Sequence, residues 1–175
     1  MLSKKITVIV LLSWVALIAV YTITRFYQLK VNVTESMPQT LWFIKVGKTR
    51  LKVGDYALIK YHDKRMTDPT DYEFVVKQVG GIGGDKILVK AWEGYIEGIP
   101  KPNKTSWLYI LPDGAYLTYD ILSEQRFTPL TTTDMLIPQG YYFMHGQQHP
   151  SFDSRYKEFG LVSESAIYGE AYPTF

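Results

Sequence analysis

An apolar run near the amino end is the feature that most constrains this chain. The 19 residues from Ile6 to Thr24 contain no charged side chain, although lysines precede the run and an arginine follows it. About 20 apolar residues in a helix cross the hydrocarbon core of a bilayer. A cleaved signal peptide has a shorter apolar core that ends at small residues, whereas this run ends in the bulky sequence TITRFYQL. The run therefore predicts an uncleaved transmembrane anchor at residues 6–24.

The charges that flank the run give only a slight preference for one orientation. Lys4, Lys5 and the terminal amine precede it, and two basic residues follow it closely. Loops on the cytoplasmic side carry the excess of lysine and arginine. We expect residues 1–5 to form a cytoplasmic tail and residues 25–175 to form the main domain on the other side of the membrane.

The charge balance and the cysteine content of the chain exclude several classes of protein. From residue 26 onward there are 16 basic and 17 acidic residues, so the basic footprint that nucleic-acid binding needs is missing. The chain has no cysteine, which excludes disulfides, thiolate metal sites and cysteine nucleophiles. We expect no nucleic-acid partner, no metal and no cofactor.

Beyond the anchor the sequence consists of short apolar runs separated by turn residues. These runs lie at 55–61, 72–79, 86–92, 115–122 and 140–146. Repeated short strands with turns between them predict a mainly antiparallel β domain. Residues 93–138 are richer in proline, glycine and polar residues, and we expect them to form a small inserted β subdomain.

One lysine lies on a strand face that alternation assigns to the core. In YEFVVKQV successive side chains point to opposite faces, which places Lys77 between Val75 and Val79. It could be an edge-strand lysine whose ammonium reaches water. It could instead be desolvated, with a lowered pKa and a neutral amine that can act as a general base. The segment alone leaves both interpretations open.

A serine directly before Met-Pro, in ESMPQT, stands in a segment of restricted shape. Pro38 disfavours the helical conformation for Met37 and fixes its own φ. Ser36 could be a turn residue that bonds locally, or a nucleophile held at a fixed angle. From these six residues the turn residue is the simpler interpretation.

The segment MHGQQHPSFDSRY contains two histidines that are candidates for metal binding. His145 and His149 have the i, i+4 spacing of a zinc-protease pair. However, Gly146 occupies the position where a glutamate is required, and Pro150 argues against a helix. A Ser-His-Asp triad built on either histidine has no supporting spacing.

Taken in order, these segments resemble the type I signal peptidases, membrane-bound serine proteases with a serine–lysine dyad. The matching motifs follow one another along the chain: the anchor, Ser36-Met37-Pro38, Gly54-Asp55, Lys77 with Gly84-Asp85, and SFDSRY at 151–156. The closer similarity is to the TraF-like peptidases of conjugative transfer, which process pilin subunits. The chain departs from the family pattern in having GQQHP where Asp-Asn-Arg is common, Gly83 in place of a proline, and an extra Lys-Glu after Tyr156.

The resemblance implies a role for each residue of a dyad. Ser36 would be the nucleophile, and Lys77 would take its proton and later return one to the leaving amine. The backbone N–H of Ser36 and the hydroxyl of Thr34 would form the oxyanion hole, whose donors act where charge develops.

The resemblance also implies supporting and substrate-binding residues. Ser151 would hydrogen-bond the lysine amine and orient it, and Asp153 paired with Arg155 would support that arrangement. Met37 and Pro38 would contact the substrate.

The function implied is a membrane-anchored serine endopeptidase that removes the signal peptide from a secreted precursor through an acyl-enzyme. The expected substrate is a conjugative prepilin, and the expected location is the bacterial inner membrane, with the catalytic domain in the periplasm. The bilayer and the conjugation machinery are further expected partners.

Some TraF-like relatives join the pilin ends after cleavage, and the sequence does not separate this transfer from hydrolysis. The alternative is a non-catalytic β module tethered to a secretion or conjugation apparatus. A self-cleaving repressor-like protein would need a DNA-binding segment where this chain has its anchor.

Overall fold

The computed structural model describes the chain except for residues 1, 33–35, 63–71, 93–105, 119–126, 149–150 and 175. In the described part the chain starts with helix α1, Leu2–Phe26, and continues almost entirely as strands. The strands are β1 Tyr27–Val31, β2 Leu41–Val46, β3 Tyr56–Tyr61, β4 Glu73–Ile82, β5 Lys86–Trp92, β6 Ser106–Ile110, β7 Tyr116–Thr118, β8 Met135–Leu136, β9 Tyr141–His145, β10 Val162–Ser163 and β11 Ile167–Thr174. A 3-10 turn at Glu164–Ala166 precedes the last strand.

Helix α1 contains the predicted anchor. Its stretch Lys4–Phe26 has a mean hydropathy of 2.5, and none of it is buried in the protein. The hydroxyls of Ser13 and Thr22 donate to carbonyls four residues earlier, at 2.9 and 2.8 Å, so these polar groups need no water. Among the described residues, the structure contains one helix that is long and apolar enough to cross a membrane.

The larger sheet has seven strands in the order β1-β2-β11-β3-β4-β9-β10, and every neighbouring pair is antiparallel. The prediction of a mainly antiparallel β domain is therefore confirmed. Strand β4 lies inside this sheet, with Ala57 of β3 opposite Lys77 on one side. On the other side Gln78 pairs with His145 of β9.

A tight turn after β4 carries the chain into a second, four-stranded sheet of order β7-β6-β5-β8. The Asp85 N–H donates to the Ile82 carbonyl at 2.9 Å, and the Asp85 carboxylate accepts from the Ile82 N–H at 2.9 Å. Gly84 adopts a φ of 98°, which favours glycine. The small sheet combines β5 with three strands from the 93–138 segment, whose status as a separate subdomain stays a prediction.

The two faces of the larger sheet carry different cores. On the face of Lys77, residues such as Ala57, Val79 and Phe143 pack with Ile87 and Val89 of the small sheet. The two sheets therefore share this first core. The opposite face carries a second core, which consists of Met37, Trp42, Ile44, Leu58, Val76 and Ala171.

Candidate active site

Lys77 lies in the interior of the larger sheet and faces the first core. Strands β3 and β9 flank its strand, so it is not an edge-strand lysine. Only 3% of its surface is exposed, and its neighbour on the same face, Val79, is buried as well. The side chain therefore occupies the buried face that strand alternation predicts. Its amine donates a hydrogen bond to Ser151 Oγ at 2.9 Å.

The surroundings of Lys77 make its amine easier to deprotonate. Burial is the largest effect and disfavours the ammonium. The carboxylate of Asp153 opposes this effect and the guanidinium of Arg155 adds to it, and the pKa of Lys77 falls from 10.5 to about 8. A buried amine with a pKa near the working pH is suited to proton transfer.

A buried chain of hydrogen bonds orients the lysine amine. The Ser151 hydroxyl donates to Asp153 Oδ2 at 2.8 Å, which leaves its oxygen to accept from Lys77. Arg155 binds both oxygens of Asp153, with Nε to Oδ1 at 2.8 Å and Nη2 to Oδ2 at 2.6 Å. Asp153 and Arg155 are 0% and 1% exposed, and two-point pairing of this kind is strong and specific in direction.

The ion pair keeps Asp153 ionised. Burial by itself raises the pKa of this carboxyl, but the charge and hydrogen bonds of Arg155 more than offset burial and bring the pKa to about 2. Asp153 is therefore an acceptor at any working pH, and it holds the Ser151 hydroxyl in one orientation.

Gly146 lies between the backbone of Ser36 and the side chain of Ser151. It follows β9 at the position that the antiparallel register places opposite Lys77. Its N–H donates to Asp153 Oδ2 at 2.9 Å. A Cβ at this position would lie 2.7 Å from Ser151 Cβ and 2.8 Å from the carbonyl oxygen of Ser36. Only glycine fits, because the Ser151 side chain and the Ser36 carbonyl occupy the space that a Cβ would need.

Ser36 is buried beside this glycine. It is 5% exposed, and its carbonyl accepts a hydrogen bond from the Gln148 N–H at 3.1 Å. The structure thus brings the Ser36 backbone, Ser151 and Lys77 into one neighbourhood. Thr34, predicted to complete the oxyanion hole, lies outside the described residues.

The residues predicted to bind substrate have different exposures. Met37 is 3% exposed and belongs to the second core, whereas Pro38 is exposed. The buried Met37 holds the segment after Ser36 against the sheet. A direct contact of either residue with substrate stays a prediction.

The structure adds groups that the sequence analysis did not place in the site. His145 is buried, its Nδ1 lies 3.1 Å from the Gly146 carbonyl, and burial lowers its pKa. The side-chain amide of Gln147 donates to the Tyr56 hydroxyl at 2.8 Å and to the amide oxygen of Gln78 at 3.2 Å. A glycine at a strand end can indicate close backbone approach, which was the available signal for Gly146. The sequence carries no corresponding signal for the contacts of the glutamines.

The arrangement offers a serine, a buried amine of lowered pKa and a fixed acceptor chain behind that amine. Within the described residues no group of three histidine or acidic side chains could hold a metal ion. No match to the chain is found among curated proteins. The sequence profile of the family described as signal peptidase, peptidase S26, matches residues 2–175, so the chain belongs to the signal peptidase family.

Proposed function

We propose that this protein is a membrane-anchored serine endopeptidase that cleaves the signal peptide from a secreted precursor with a Ser36–Lys77 dyad. Family membership supports signal peptidase activity in general. The observation that carries the proposed mechanism is the buried Lys77 amine, held by Ser151 in the same neighbourhood as Ser36.

In the proposed mechanism the neutral amine of Lys77 takes the proton of the Ser36 hydroxyl as Oγ attacks the scissile carbonyl. The tetrahedral intermediate collapses when the Lys77 ammonium gives its proton to the leaving amine, which yields an acyl-enzyme and a free amino end. A water molecule, deprotonated by the same amine, then releases the acyl group. The Ser36 N–H and the Thr34 hydroxyl are the proposed donors to the developing oxyanion.

The supporting residues have separate tasks in this mechanism. Ser151 aims the amine, since it accepts from Lys77 while donating to Asp153. The charge of Asp153 stabilises the ammonium that forms after proton transfer. Arg155 fixes that carboxylate and limits its effect on the pKa of the lysine.

The position of the anchor suits a membrane-bound substrate. Strand β1 begins at Tyr27, directly after the last residue of α1, Phe26, so the sheet starts where the apolar helix ends. We propose that the substrate is a conjugative prepilin, that the domain lies on the periplasmic face of the bacterial inner membrane, and that the conjugation machinery is a partner. The resemblance to TraF-like peptidases supports these assignments, as well as a substrate contact at Met37 and Pro38. Attack on the acyl-enzyme by an amine of the pilin, in place of water, would join its ends.

The test is maturation of the candidate pilin in cells that carry Ser36→Ala or Lys77→Ala. Each change should abolish processing while the protein stays folded and membrane-bound. Matched controls are Ser163→Ala, at a half-buried serine whose hydroxyl shares a hydrogen bond with that of the exposed Ser165, and Lys90→Ala, at an exposed lysine of β5. Both controls should process normally.

Mass spectrometry of the mature pilin reports the outcome. A product lighter than the cleaved linear chain by one water would mean cyclisation, and an unchanged linear mass would mean hydrolysis. Normal maturation in either the Ser36→Ala or the Lys77→Ala strain would refute the dyad and favour the non-catalytic module.

A further inference from the structure

The side of the larger sheet that holds the second core also carries a lysine of the edge strand. Lys30 of β1 pairs with Trp42, which is buried in the second core. Gln28 and Lys30 are half-buried on this side, whereas Leu29 and Val31, which alternate with them, are each 64% exposed on the other side. Lys30 therefore lies on the inner side of the sheet.

The sheet curls so that this lysine reaches a strand far from its own. Strands β1 and β4 are four steps apart in the strand order, which is about 19 Å in a flat sheet. Nevertheless, the Lys30 ammonium lies 5.0 Å from the centre of the Phe74 ring on β4. Tyr168 packs edge-on against the same ring at 4.8 Å, and its hydroxyl accepts from the side-chain amide of Gln28 at 3.0 Å. The lysine thus crosses the inner side of the sheet to an aromatic pair.

Lys30 lies between the end of the anchor helix and the candidate active site. It is four residues beyond the end of α1 and six residues before Ser36. Its aromatic partner Phe74 shares a strand face with Val76, which belongs to the second core together with Met37, the residue after Ser36. A precursor segment that leaves the bilayer beside α1 and extends to Ser36 passes the side chain of Lys30 on this route.

Both strands that meet at this contact have an unpaired edge. Strand β1 is the first of the sheet, and β4 pairs with β9 only from Gln78 onward. Among the described residues, β1 and residues 73–77 therefore each offer backbone groups on one side. An extended peptide can add to such an edge, and every second side chain of that peptide would then lie on the side of Lys30.

The charge of Lys30 has no acidic partner within the described part of the chain. None of those residues forms a salt bridge with it. Along β1, β2, β11, β3 and β4, the described residues that share its face include no aspartate or glutamate. They include a second lysine, Lys60, whose ammonium lies 3.7 Å from the centre of the Tyr72 ring, and Tyr72 packs edge-on against Phe74 at 5.4 Å. The inner side of these strands is therefore complementary to an anionic side chain.

We propose that Lys30 is a specificity-determining residue that binds a carboxylate side chain of the precursor ahead of the cleaved bond. This inference rests on the proposed function, because a peptide must approach Ser36 from the bilayer. Since six positions separate Lys30 from Ser36, we expect the carboxylate within about six residues of the bond.

The aromatic ring prepares the lysine for this role. Phe74 holds the ammonium through a cation–π contact, which becomes stronger when water is excluded. A peptide that lies over the contact removes water from both groups. A glutamate of that peptide then pairs with the ammonium through a charge-assisted hydrogen bond.

The test uses the full chain in neutral detergent micelles with matched pairs of fluorogenic signal-peptide substrates. Each pair carries glutamate or glutamine at one of the six positions before the cleaved bond. At one position the glutamate peptide should have a kcat/KM about ten-fold higher, which is the smallest factor expected for a hydrogen bond to a charged group. The difference should lie in KM, because the contact is remote from the reacting atoms and stabilises the bound substrate and the transition state alike.

Charge variants of Lys30 give the decisive comparison. Lys30→Gln should cleave both peptides of that pair equally, at the wild-type rate for the glutamine peptide, which also shows that the variant is folded. Lys30→Glu should reverse the preference, so that a peptide with lysine at that position is cleaved faster than the glutamate peptide. Lys45→Glu is the matched control, because Lys45 is exposed on the other side of the neighbouring strand, opposite Tyr27. It should keep the preference of the wild type.

Binding of the same peptides to Ser36→Ala, measured by fluorescence anisotropy, separates the subsite from the chemistry. A glutamate preference in binding that Lys30→Gln removes, without any cleavage by the wild type, would refute the proposed function and leave the subsite standing. Cleavage with no glutamate preference at any position would overturn the subsite alone, as would the absence of peptide binding. A preference that survives in Lys30→Gln, or that Lys45→Glu removes, would also overturn it, because general charge would then be responsible.

Discussion

Replacing Lys77 with methionine should make the folded protein more stable at neutral pH, although it should abolish activity. Lys77 is 3% exposed, and the native state must hold its charge away from water. Methionine has a similar length, no charge and flexible torsions that can fill the space of the lysine side chain. Buried charged groups are often replaceable by apolar ones with a gain in stability.

The size of the gain follows from the pKa of Lys77. Its fall from 10.5 to about 8 is due first to burial. At about 1.4 kcal/mol per pKa unit, this fall corresponds to a native-state penalty of about 3 kcal/mol. Methionine also loses the hydrogen bond to Ser151, which is worth about 1 kcal/mol net. The expected increase in the free energy of unfolding at neutral pH is therefore about 2 kcal/mol.

The difference in stability between the wild type and the methionine variant should change sign with pH. Below about pH 8 the lysine is protonated in both the native and the unfolded state, so the whole penalty is present. Between about pH 8 and 10.5 the native state loses its proton before the unfolded state does, and the stability of the wild type rises relative to the variant. Above 10.5 the methionine variant should be the less stable of the two, by about 1 kcal/mol, because only the lost hydrogen bond remains.

The assay is denaturant unfolding of both full chains in the same detergent micelles, followed by tryptophan fluorescence from neutral to alkaline pH. Titrating groups that do not interact with Lys77 contribute equally to both proteins and cancel in the difference between their free energies of unfolding. Asp153 and His145 do interact with the charge of Lys77. The Asp153 carboxyl stays ionised from neutral to alkaline pH and burial lowers the pKa of His145, so the change of this difference at alkaline pH reports Lys77. A difference that stays constant across this range would refute the reasoning, as would a variant that is less stable at neutral pH.

Three further predictions concern the same site. Cleavage of a signal-peptide substrate should rise with pH through an apparent pKa of about 8, and Lys77→Arg should be almost as inactive as Lys77→Ala because a guanidinium stays protonated. Gly146→Ala should cost about 1–3 kcal/mol of stability and most of the activity, since the added methyl collides with Ser151 and the Ser36 carbonyl, which thermal unfolding and turnover will measure. Asp153→Asn should lower the apparent pKa of the remaining activity, because this charge raises the pKa of Lys77, and should destabilise the fold by about 3–5 kcal/mol by leaving Arg155 unpaired.

Controls for these predictions are available within the chain. Gly114→Ala also places a methyl on a glycine, at a turn with a φ of 84° and open space around the added atom. It should cost backbone strain only and leave turnover unchanged. An arginine variant at position 77 within ten-fold of the wild type would contradict the general base. An unchanged apparent pKa in Asp153→Asn would contradict the electrostatic role of that carboxylate.

The sequence predicts the strand that carries Lys77 better than the strands near the anchor. In β4 the two-residue period placed Lys77 and Val79 together, and both are buried on one face. In β2 the residues Leu41–Ile44 are all apolar, although burial alternates along them. The outer side chains of β2 are as apolar as the inner ones, so the sequence shows no alternation there.

The sequence fails to predict strand β11 for a different reason. Its sequence contains Gly169 and Pro173, which normally argue against an interior strand. The pairing with β3 ends at Ala171 opposite Tyr56, and Pro173 pairs only with Trp42 of β2. The proline therefore lies where β11 pairs with β2 but no longer with β3.

In the site, too, contacts between residues that are close in sequence are easier to predict than contacts between distant segments. Asp153 and Arg155 lie two residues apart, a spacing that allows a charge pair, and the resemblance implies that they form one. The contact between Lys77 and Ser151 joins residues 74 positions apart, and only the resemblance suggested it. Gly146 occupies the glutamate position of a zinc motif and the start of GQQHP in the sequence, and neither pattern predicts its closeness to the carbonyl of Ser36, which lies in a distant segment.

The direct junction between α1 and β1 has a consequence for the range of the enzyme. A domain on a long flexible tether can reach substrates at many heights, but here Phe26 is followed at once by the first strand residue. Five residues of extended chain rise about 3.3 Å each, so β1 limits how far the segment that leads to Ser36 can lie from the end of the helix. Under the proposed function, encounters with precursors take place by diffusion in the plane of the membrane, and a peptide bond is cleaved only if it lies within that reach. A precursor that never enters the bilayer escapes cleavage even when its cleavage sequence is correct.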